Sequence, residues 1–351
     1  MTEPSRKPTL ADVARLARVS LGSASRALSV PAEVKQDTLE RVTWAVERLG
    51  YIGNGAARAL ASRSTHTVAA IYPVLSNPIF VKSIHALQQE LWNLGFQLLV
   101  GSHEYTPKKE AEVLRAVVGR GVDGVILMGS DHDQEVFDLL RMSGLPHVLS
   151  WAHDESDSPN RVGFSHYGAA VSMARLVLSK GHKAIGLCYG DSARNERARA
   201  RLAGTRDALR EAGVELRPEW TFQEEFTVEG GRHAVRQLAR LGSFPTALIC
   251  SLDSQAIGAI VESRALGINL PGDLSIVGAD DTEWATVVQP ALTSIHVPAE
   301  EVGIRTARRM VALIRGQDPK FEPPLETHLV VRESLGKPRR TRWLGTIRLD
   351  G

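Results

Sequence analysis

The chain has 351 residues, of which 43% are hydrophobic and 23% charged, and a formal net charge of +2. This length accommodates two or three domains with a substantial core, and the composition excludes a disordered or collagen-like chain. No run approaches the ~18 apolar residues of a membrane span, so no membrane partner is expected.

The amino terminus, MTEPSRKPTLADVARL, has no apolar h-region, which points to a cytoplasmic protein. Cys188 and Cys250 lack metal-type spacing and read as buried thiols in a reducing compartment. The charge is unevenly placed. Residues 1–63 hold ten Lys/Arg against six Asp/Glu, a net +4, which leaves −2 for the rest. A small basic head on a near-neutral body suits a polyanion-binding module joined to something else.

In the head, Thr9 followed by Asp12 is a helix N-cap with a carboxylate in the first turn. Leu10, Val13, Ala14 and Ala17 then form one apolar stripe. After a turn at Arg18–Val19, Ser20 caps a second short helix, Leu21 to Leu28. Its Ala24, Ala27 and Leu28 face inward, and Ser23, Ser25 and Arg26 lie on polar faces. A third helix is expected from about Pro31–Ala32 to Leu49, ended by Gly50. Two short helices and a closing third make a helix-turn-helix module. The second helix would enter the major groove, with Arg26 as a two-pronged donor to guanine or phosphate and Leu21 against a thymine methyl. The same pattern also fits a three-helix bundle with no nucleic-acid role.

From Asn54 to Ser62 a short helix is expected, too short to be stable alone. From Thr67 the rhythm changes. Apolar runs such as VAAIYPVL, FQLLVGS, VDGVILMGS, HKAIGLCYG, TALICSLD and LSIVGADD alternate with helical segments. This predicts doubly wound α/β subdomains with parallel sheets, right-handed crossovers and a ligand cleft at the carboxyl ends of the strands. Subdomain 1 is expected over about 67–163 and 294–325, and subdomain 2 over about 164–293 and 326–335. The chain would return near Thr293–Val297 to add a helix and a strand to the first sheet. Residues 336–351 form a basic tail without a leucine heptad.

The run TLADVARLARVSLGSASRALSVPAEVKQDTLERVTWAVERLGYIGNGAARALAS resembles the amino-terminal domain of the LacI/GalR family of bacterial regulators over about fifty gapless residues. The pieces LSNPIF, GVDGVIL, GHKAIGL, RLAGTRDAL, ALICSLDSQAIGAI and GINLPGDLSIVGADDTEWA extend the resemblance to about residues 6–335. Among those relatives the gluconate-type repressors look most similar. The resemblance implies a DNA-binding domain over 1–53, a hinge helix and linker over 54–66, and a core over 67–335 similar to a type I periplasmic binding protein. It implies a homodimer on double-stranded operator DNA, repression released by a small-molecule effector, and no catalysis, cofactor or metal. The implied DNA contacts are Thr9, Ser20, Leu21, Gly22, Ser23, Ser25, Arg26, Asn54, Ala57, Arg58 and Leu60, the last wedging into the minor groove.

The implied effector contacts are Asn77, Phe80, Trp151, Arg201, Phe226, Asp253 and Asp281. Asp253 is the acid expected to take two sugar hydroxyls. Trp151 and Phe226 read either as stacking faces for the ligand or as core. Arg194, Arg197 or Arg199 could balance a carboxylate, or lie on a solvated helix face. A sugar acid such as gluconate is the first expectation for the effector, then a neutral sugar. Activation instead of repression, or a free-standing sugar-binding protein, are the alternatives. Several positions depart from the family pattern. Its turn glycine is Arg18, its proline after Tyr-Ile is Gly53, an asparagine is Leu252, and an Asp-Asn pair is Ser165-His166. Gly22 has no side chain with which to read a base.

Overall fold

The computed structural model describes residues 6–52, 64–153, 160–241, 243–317 and 322–339. They divide between His66 and Thr67 into two compact units.

In the first unit, helix α1 (Leu10–Leu16) begins at a reciprocal capping box. Thr9 Oγ1 accepts from the Asp12 amide, and Asp12 Oδ2 accepts from the Thr9 amide at 3.0 Å. Helix α2 (Leu21–Ser29) begins at Ser20, whose Oγ accepts from the Ser23 amide at 3.0 Å. Arg18, in the turn between them, is left-handed at φ 53°. The third helix starts later than its periodicity suggests. Pro31–Glu33 forms a single 3-10 turn, Val34 is extended, and helix α3 spans Gln36–Leu49. Extension carries the Val34 side chain onto the head core. That core is built from small residues, including Val13, Ala14, Ala17, Ala24, Ala27, Val42 and Ala45. Gly50 ends α3 at φ 59°.

The second unit opens with strand β1 (Thr67–Tyr72), helix α4 (Pro78–Asn93), β2 (Gln97–Ser102), α5 (Pro107–Gly119), β3 (Gly124–Met128), α6 (Gln134–Ser143), β4 (His147–Ser150) and β5 (Arg161–Val162). These strands form one parallel sheet in the order β2-β1-β3-β4-β5. Alternate residues of β1 point to opposite faces. Val68, Ala70 and Tyr72 meet α4, whereas Ala69 and Ile71 meet α5 and α6. Both faces are buried, which is why the strand reads as a continuous apolar run.

Helix α7 (His166–Ser179) leads to β6 (Ile185–Tyr189), α8 (Glu196–Glu211), β7 (Thr221–Gln223), α9 (Val228–Leu241), β8 (Ala247–Cys250), α10 (Asp253–Ala265) and β9 (Ser275–Val277). The second parallel sheet has the order β7-β6-β8-β9. Cys188 and Cys250 face each other on paired strands as buried free thiols.

The return of the chain differs from expectation. After the short helix α11 (Trp284–Val287), strand β10 (Ser294–His296) does not join the first sheet. It pairs antiparallel with β11 (His328–Val330) and bridges to Val277 and Asp280 at the end of β9. The Gly278 and Asp280 amides hold it there by donating to the carbonyls of Thr293 and Ile295, each at 3.0 Å. Helix α12 (Ala299–Ile314) does return, packing against α4, β3 and β4.

Helices α9 and α10 approach backbone to backbone. A Cβ on Gly258 would stand 1.8 Å from the Val228 carbonyl oxygen. Gly258→Ala is therefore expected to destabilise the core unit by about 2 kcal/mol, by overpacking. Urea unfolding checks this, and an unchanged midpoint would contradict the close crossing.

Candidate DNA-reading face and effector cleft

Helix α2 presents the candidate reading face: its inward positions include alanines, and its outward ones are polar or small apart from Leu21. Leu21 is 54% exposed, and Ser20, Gly22, Ser25 and Arg26 are exposed beside it. A Cβ on Gly22 would meet nothing nearer than Ser20 Oγ at 3.9 Å, so the space over it is open. The Arg26 guanidinium has no hydrogen bond or ion pair among the described residues. Thr9 and Ser20 use their hydroxyls as caps, and Ser23 Oγ lies 2.8 Å from Ser20 Oγ. Hydrogen bonds from Thr9 hold the Asp12 carboxyl down to about 2. Gly53, Asn54, Ala57, Arg58 and Leu60 lie outside the described residues, as does the proposed hinge helix. Of the basic tail, residues 336–339 are described, and Arg339 pairs with Asp273 at 3.2 Å.

In the core unit the strand ends of both sheets deliver a cluster of polar groups. Asn77 caps α4, its Oδ1 accepting from the Ile79 amide at 3.2 Å. Phe80 is buried, with its ring centroid 5.4 Å from that of Trp151. Trp151, at the end of β4, is only 2% exposed and left-handed at φ 61°. It packs as core, yet its indole Nε1 is buried without an acceptor among the described residues.

Arg201 is half-buried on the first turns of α8. Its Nη1 donates to His166 Nδ1 at 3.3 Å, its guanidinium carbon lies 5.8 Å from the Phe226 ring centroid, and its Nε is buried without an acceptor among the described residues. Burial pulls its pKa down to about 10, which leaves it cationic at neutral pH. Phe226 is half-buried, its ring covering Gly190.

His166 Nε2 lies 3.3 Å from the Trp151 carbonyl oxygen. A guanidinium only donates and a carbonyl only accepts, so His166 accepts at Nδ1 and donates at Nε2. It is therefore a neutral imidazole. Burial, and then the Arg201 charge, hold its pKa well below the ordinary value. The sequence marks this position only as a departure from a family pattern and does not single it out as a site residue.

The two acidic candidates need revision. Asp253 is fully buried at the start of α10. Its Oδ1 accepts from Ser294 Oγ at 2.6 Å, and its Oδ2 from the Thr282 amide at 2.8 Å and hydroxyl at 3.2 Å. Both oxygens are thus engaged by the protein rather than presented as a free edge. Asp281 is tied to Arg332 Nη2 at 2.6 Å and His296 Nδ1 at 3.0 Å. Burial opposes its ionisation, but these two hydrogen bonds outweigh burial and keep its carboxyl below the ordinary range. The neighbouring Asp280 instead shares an electrostatic field with Arg201 and Asp253. Asp280 is buried and backbone-strained at φ 118°, and burial pushes its carboxyl well above the ordinary range. That two adjacent aspartates would take different partners was not legible in the sequence.

The three further arginines separate. Arg194 and Arg199 are exposed and pair with Asp133 at 3.2 Å and Asp131 at 2.8 Å. Arg197 does not lie on a solvated face, being 6% exposed.

A helix-turn-helix head joined to a core with two parallel sheets and a polar cluster at their strand ends defines a ligand-responsive DNA-binding regulator. Residues 9–54 match the family of bacterial regulatory proteins, lacI family, and residues 174–335 match a periplasmic binding protein-like domain. The chain is 32% identical to the HTH-type transcriptional regulator GntR of Pseudomonas aeruginosa, over 95% of this chain and 97% of that protein. It is 29% identical to the HTH-type transcriptional repressor PurR of Photobacterium profundum, over 93% and 98% respectively. The lac repressor dimer bound to operator and the anti-inducer ONPF superposes with a TM-score of 0.84 at 25% identity, covering 94% of this chain and all of that one. The transcription regulator GntR of Chromobacterium violaceum gives 0.72 at 30% identity, covering 77% and 99%. The chain belongs to the LacI family of DNA-binding transcriptional regulators.

Burial raises the Asp253 pKa from 3.8 to about 7, against the opposing hydrogen bonds. Between about pH 4 and 7 the native state then binds more protons than the unfolded chain, so this residue's contribution to stability falls as pH rises. Asp253→Asn keeps an acceptor for Thr282 and offers a donor to Ser294. It is expected to unfold with a flatter pH dependence over that window. Denaturant midpoints measured at pH 5 and 7.5 test this, and parallel profiles for the two proteins would refute it.

Proposed function

We propose that the protein is a cytoplasmic, homodimeric repressor that binds a pseudo-palindromic operator and leaves it when a small sugar acid binds between the two core subdomains. One observation carries the ligand reading. Trp151 Nε1 and Arg201 Nε are buried donors with no acceptor among the described residues, and the two residues are linked through His166. A buried unsatisfied donor costs about 1–3 kcal/mol, so a ligand rich in acceptors is favoured there. A carboxylate suits Arg201 best, because a guanidinium pairs with it through charge-assisted bonds. Asp280, a buried carboxyl whose charge is felt at Arg201, adds a group that can bond hydroxyls. Ligand chemistry with an acid at one end and hydroxyls at the other, as in gluconate, matches both poles. One solved neighbour at 28% identity, the transcriptional regulator CelR, is a complex with cellobiose, a neutral sugar, which supports a carbohydrate ligand but not its acid group.

On this reading two heads meet two half-sites, with α2 in the major groove and the hinge residues Asn54, Ala57, Arg58 and Leu60 in the minor groove. Ligand binding closes the cleft, shifts the dimer interface and separates the hinges, which couples the two sites. Domain limits of 1–53, 54–66 and 67–335 belong to the same proposal.

Two measurements test it. An operator recovered from random DNA by selection should bind Arg26→Ala and Leu60→Ala more weakly, the former by about 1–3 kcal/mol at matched salt. Affinities equal to wild type in gel shift would overturn the DNA assignment. D-gluconate should raise the thermal unfolding midpoint of the wild type, since it binds only the folded state, and should leave Arg201→Ala unmoved. A midpoint raised by neutral sugars and not by sugar acids would reject the acid.

A further inference from the structure

Glu196 and Arg197, the first residues of α8, reach out of the second subdomain onto the end of β3 in the first. Glu196 Oε1 accepts from the Ser130 amide at 2.9 Å. Arg197 Nη1 donates to the Met128 carbonyl at 3.3 Å and to Glu196 Oε1 at 3.0 Å. Both lie over Gly129, where a Cβ would stand 1.9 Å from Arg197 Nη1 and 2.5 Å from Glu196 Oε1. With Gly129 at φ +89°, only glycine accommodates both the backbone turn and the overlying guanidinium.

The surface they close on is held from behind. The Gly129 amide donates to the Ser150 carbonyl at 2.8 Å. The ring of His132 spans from the Gly129 carbonyl, 3.2 Å from Nε2, to Glu110 Oε1, 2.8 Å from Nδ1. Glu110 is itself buried. On the other side, the Asn195 carboxamide caps the Ala198 amide at 3.2 Å and donates to the Tyr105 hydroxyl at 3.3 Å, which fixes the first turn of α8. The exposed pairs of Arg194 and Arg199 flank this contact and, being solvated, contribute little.

We infer that Glu196 and Arg197 form a clasp that holds the two core subdomains closed on a rigid glycine seat at the end of β3, and so set how readily the cleft shuts on its ligand. The inference rests on the reading that the effector binds between these subdomains. Arg197 is a positioning residue here. It is spent on Met128 and Glu196, whereas Arg201, one turn along, keeps an unpaired donor. A clasp that favours the closed form lowers the cost of closing and raises apparent ligand affinity by the same factor.

The test needs no ligand at its first stage. Spin labels on Lys108→Cys and Arg206→Cys, both exposed and on opposite subdomains, report the distance across the cleft in the full-length protein. The wild type should give a narrow distribution. Glu196→Ala and Arg197→Ala should lengthen and broaden it. Glu196→Gln, which keeps an acceptor for the Ser130 amide, should restore most of the short distance. Arg199→Ala, which loses the exposed pair with Asp131 and the bonds to the Ser192 and Ala193 carbonyls but none of the contacts over Gly129, should leave it unchanged. Distributions identical to wild type in both alanine variants, or an equal broadening in Arg199→Ala, would overturn the clasp. At the second stage D-gluconate affinity by calorimetry should fall about tenfold in Arg197→Ala, within the usual range for coupled sites. If gluconate does not bind the wild type while the ligand-free distances still separate, the effector assignment fails and the clasp stands. If gluconate binds wild type and Arg197→Ala alike, the clasp fails and the effector assignment stands.

Discussion

Arg201 is the group around which the core unit is arranged. A guanidinium that is half-buried and still cationic must be matched, and the protein matches it only in part. His166 takes one N–H, Asp280 contributes an opposing charge, Phe226 offers its ring, and Nε is left over among the described residues. The His166 tautomer follows from this arrangement, because the guanidinium forces Nδ1 to accept. That in turn aims Nε2–H at the Trp151 carbonyl and ties the second subdomain to the first. A charge left incompletely paired inside a protein stays strongly felt in its low-dielectric surroundings. On the proposed reading, the same property that costs stability makes the position responsive to an anionic ligand.

Topology explains why these groups meet. In two parallel sheets every strand ends on the same side, so side chains far apart in sequence converge at the carboxyl ends. Tyr105 follows β2, Gly129 follows β3 and Trp151 follows β4. Arg201 comes after β6, Phe226 after β7, Asp253 after β8 and Asp280 after β9. Backbone strain gathers at the same edge, with Glu104, Tyr105, Trp151, Asp280 and Asp281 all at positive φ. Strained backbone persists only where the surrounding structure over-determines it. Here the over-determination comes from amides such as Asp280 N, bonded to β10 outside the regular sheet.

What was legible in the sequence is what local chemistry dictates. Capping residues at Thr9 and Ser20, the alanine stripe of α2, and apolar runs between helices each have a short-range cause. What was not legible depends on side-chain direction after a turn. Asp280 and Asp281 differ by one position, yet the charge of one is felt at Arg201 and the other is bound by Arg332 from β11's neighbourhood, 51 residues later. Arg197 looks like one of several basic residues on a helix until β3 is placed beneath it. His166 carries no motif, and its role exists only because Trp151 and Arg201 lie on either side of its ring. The late start of α3 has a local cause, but a competing one, since Val34 gains more from the core than from a helical turn.

The head poses a different balance. Arg18 occupies a left-handed turn that glycine would adopt freely, at a cost of about 1–2 kcal/mol. Arg18 is exposed in the turn before α2, and on the proposed reading its charge offsets that cost by reaching a phosphate. Gly22 shows the converse, with open space and no side chain in it. Together, on that reading, they leave Leu21 as the one large side chain at the front of α2 and shift recognition toward Arg26 and close backbone approach. On the proposed reading, phosphate contacts then supply more of the affinity and the groove shape more of the selectivity than in a head with two large side chains at these positions. The binding of such a head depends steeply on salt, because each neutralised phosphate releases counterions. A weaker side-chain code leaves more of the discrimination to the spacing of two half-sites, and spacing is set by the dimer that the core controls. The ligand acting on the core would therefore govern more of the operator affinity here than in a regulator whose reading helix carries larger side chains.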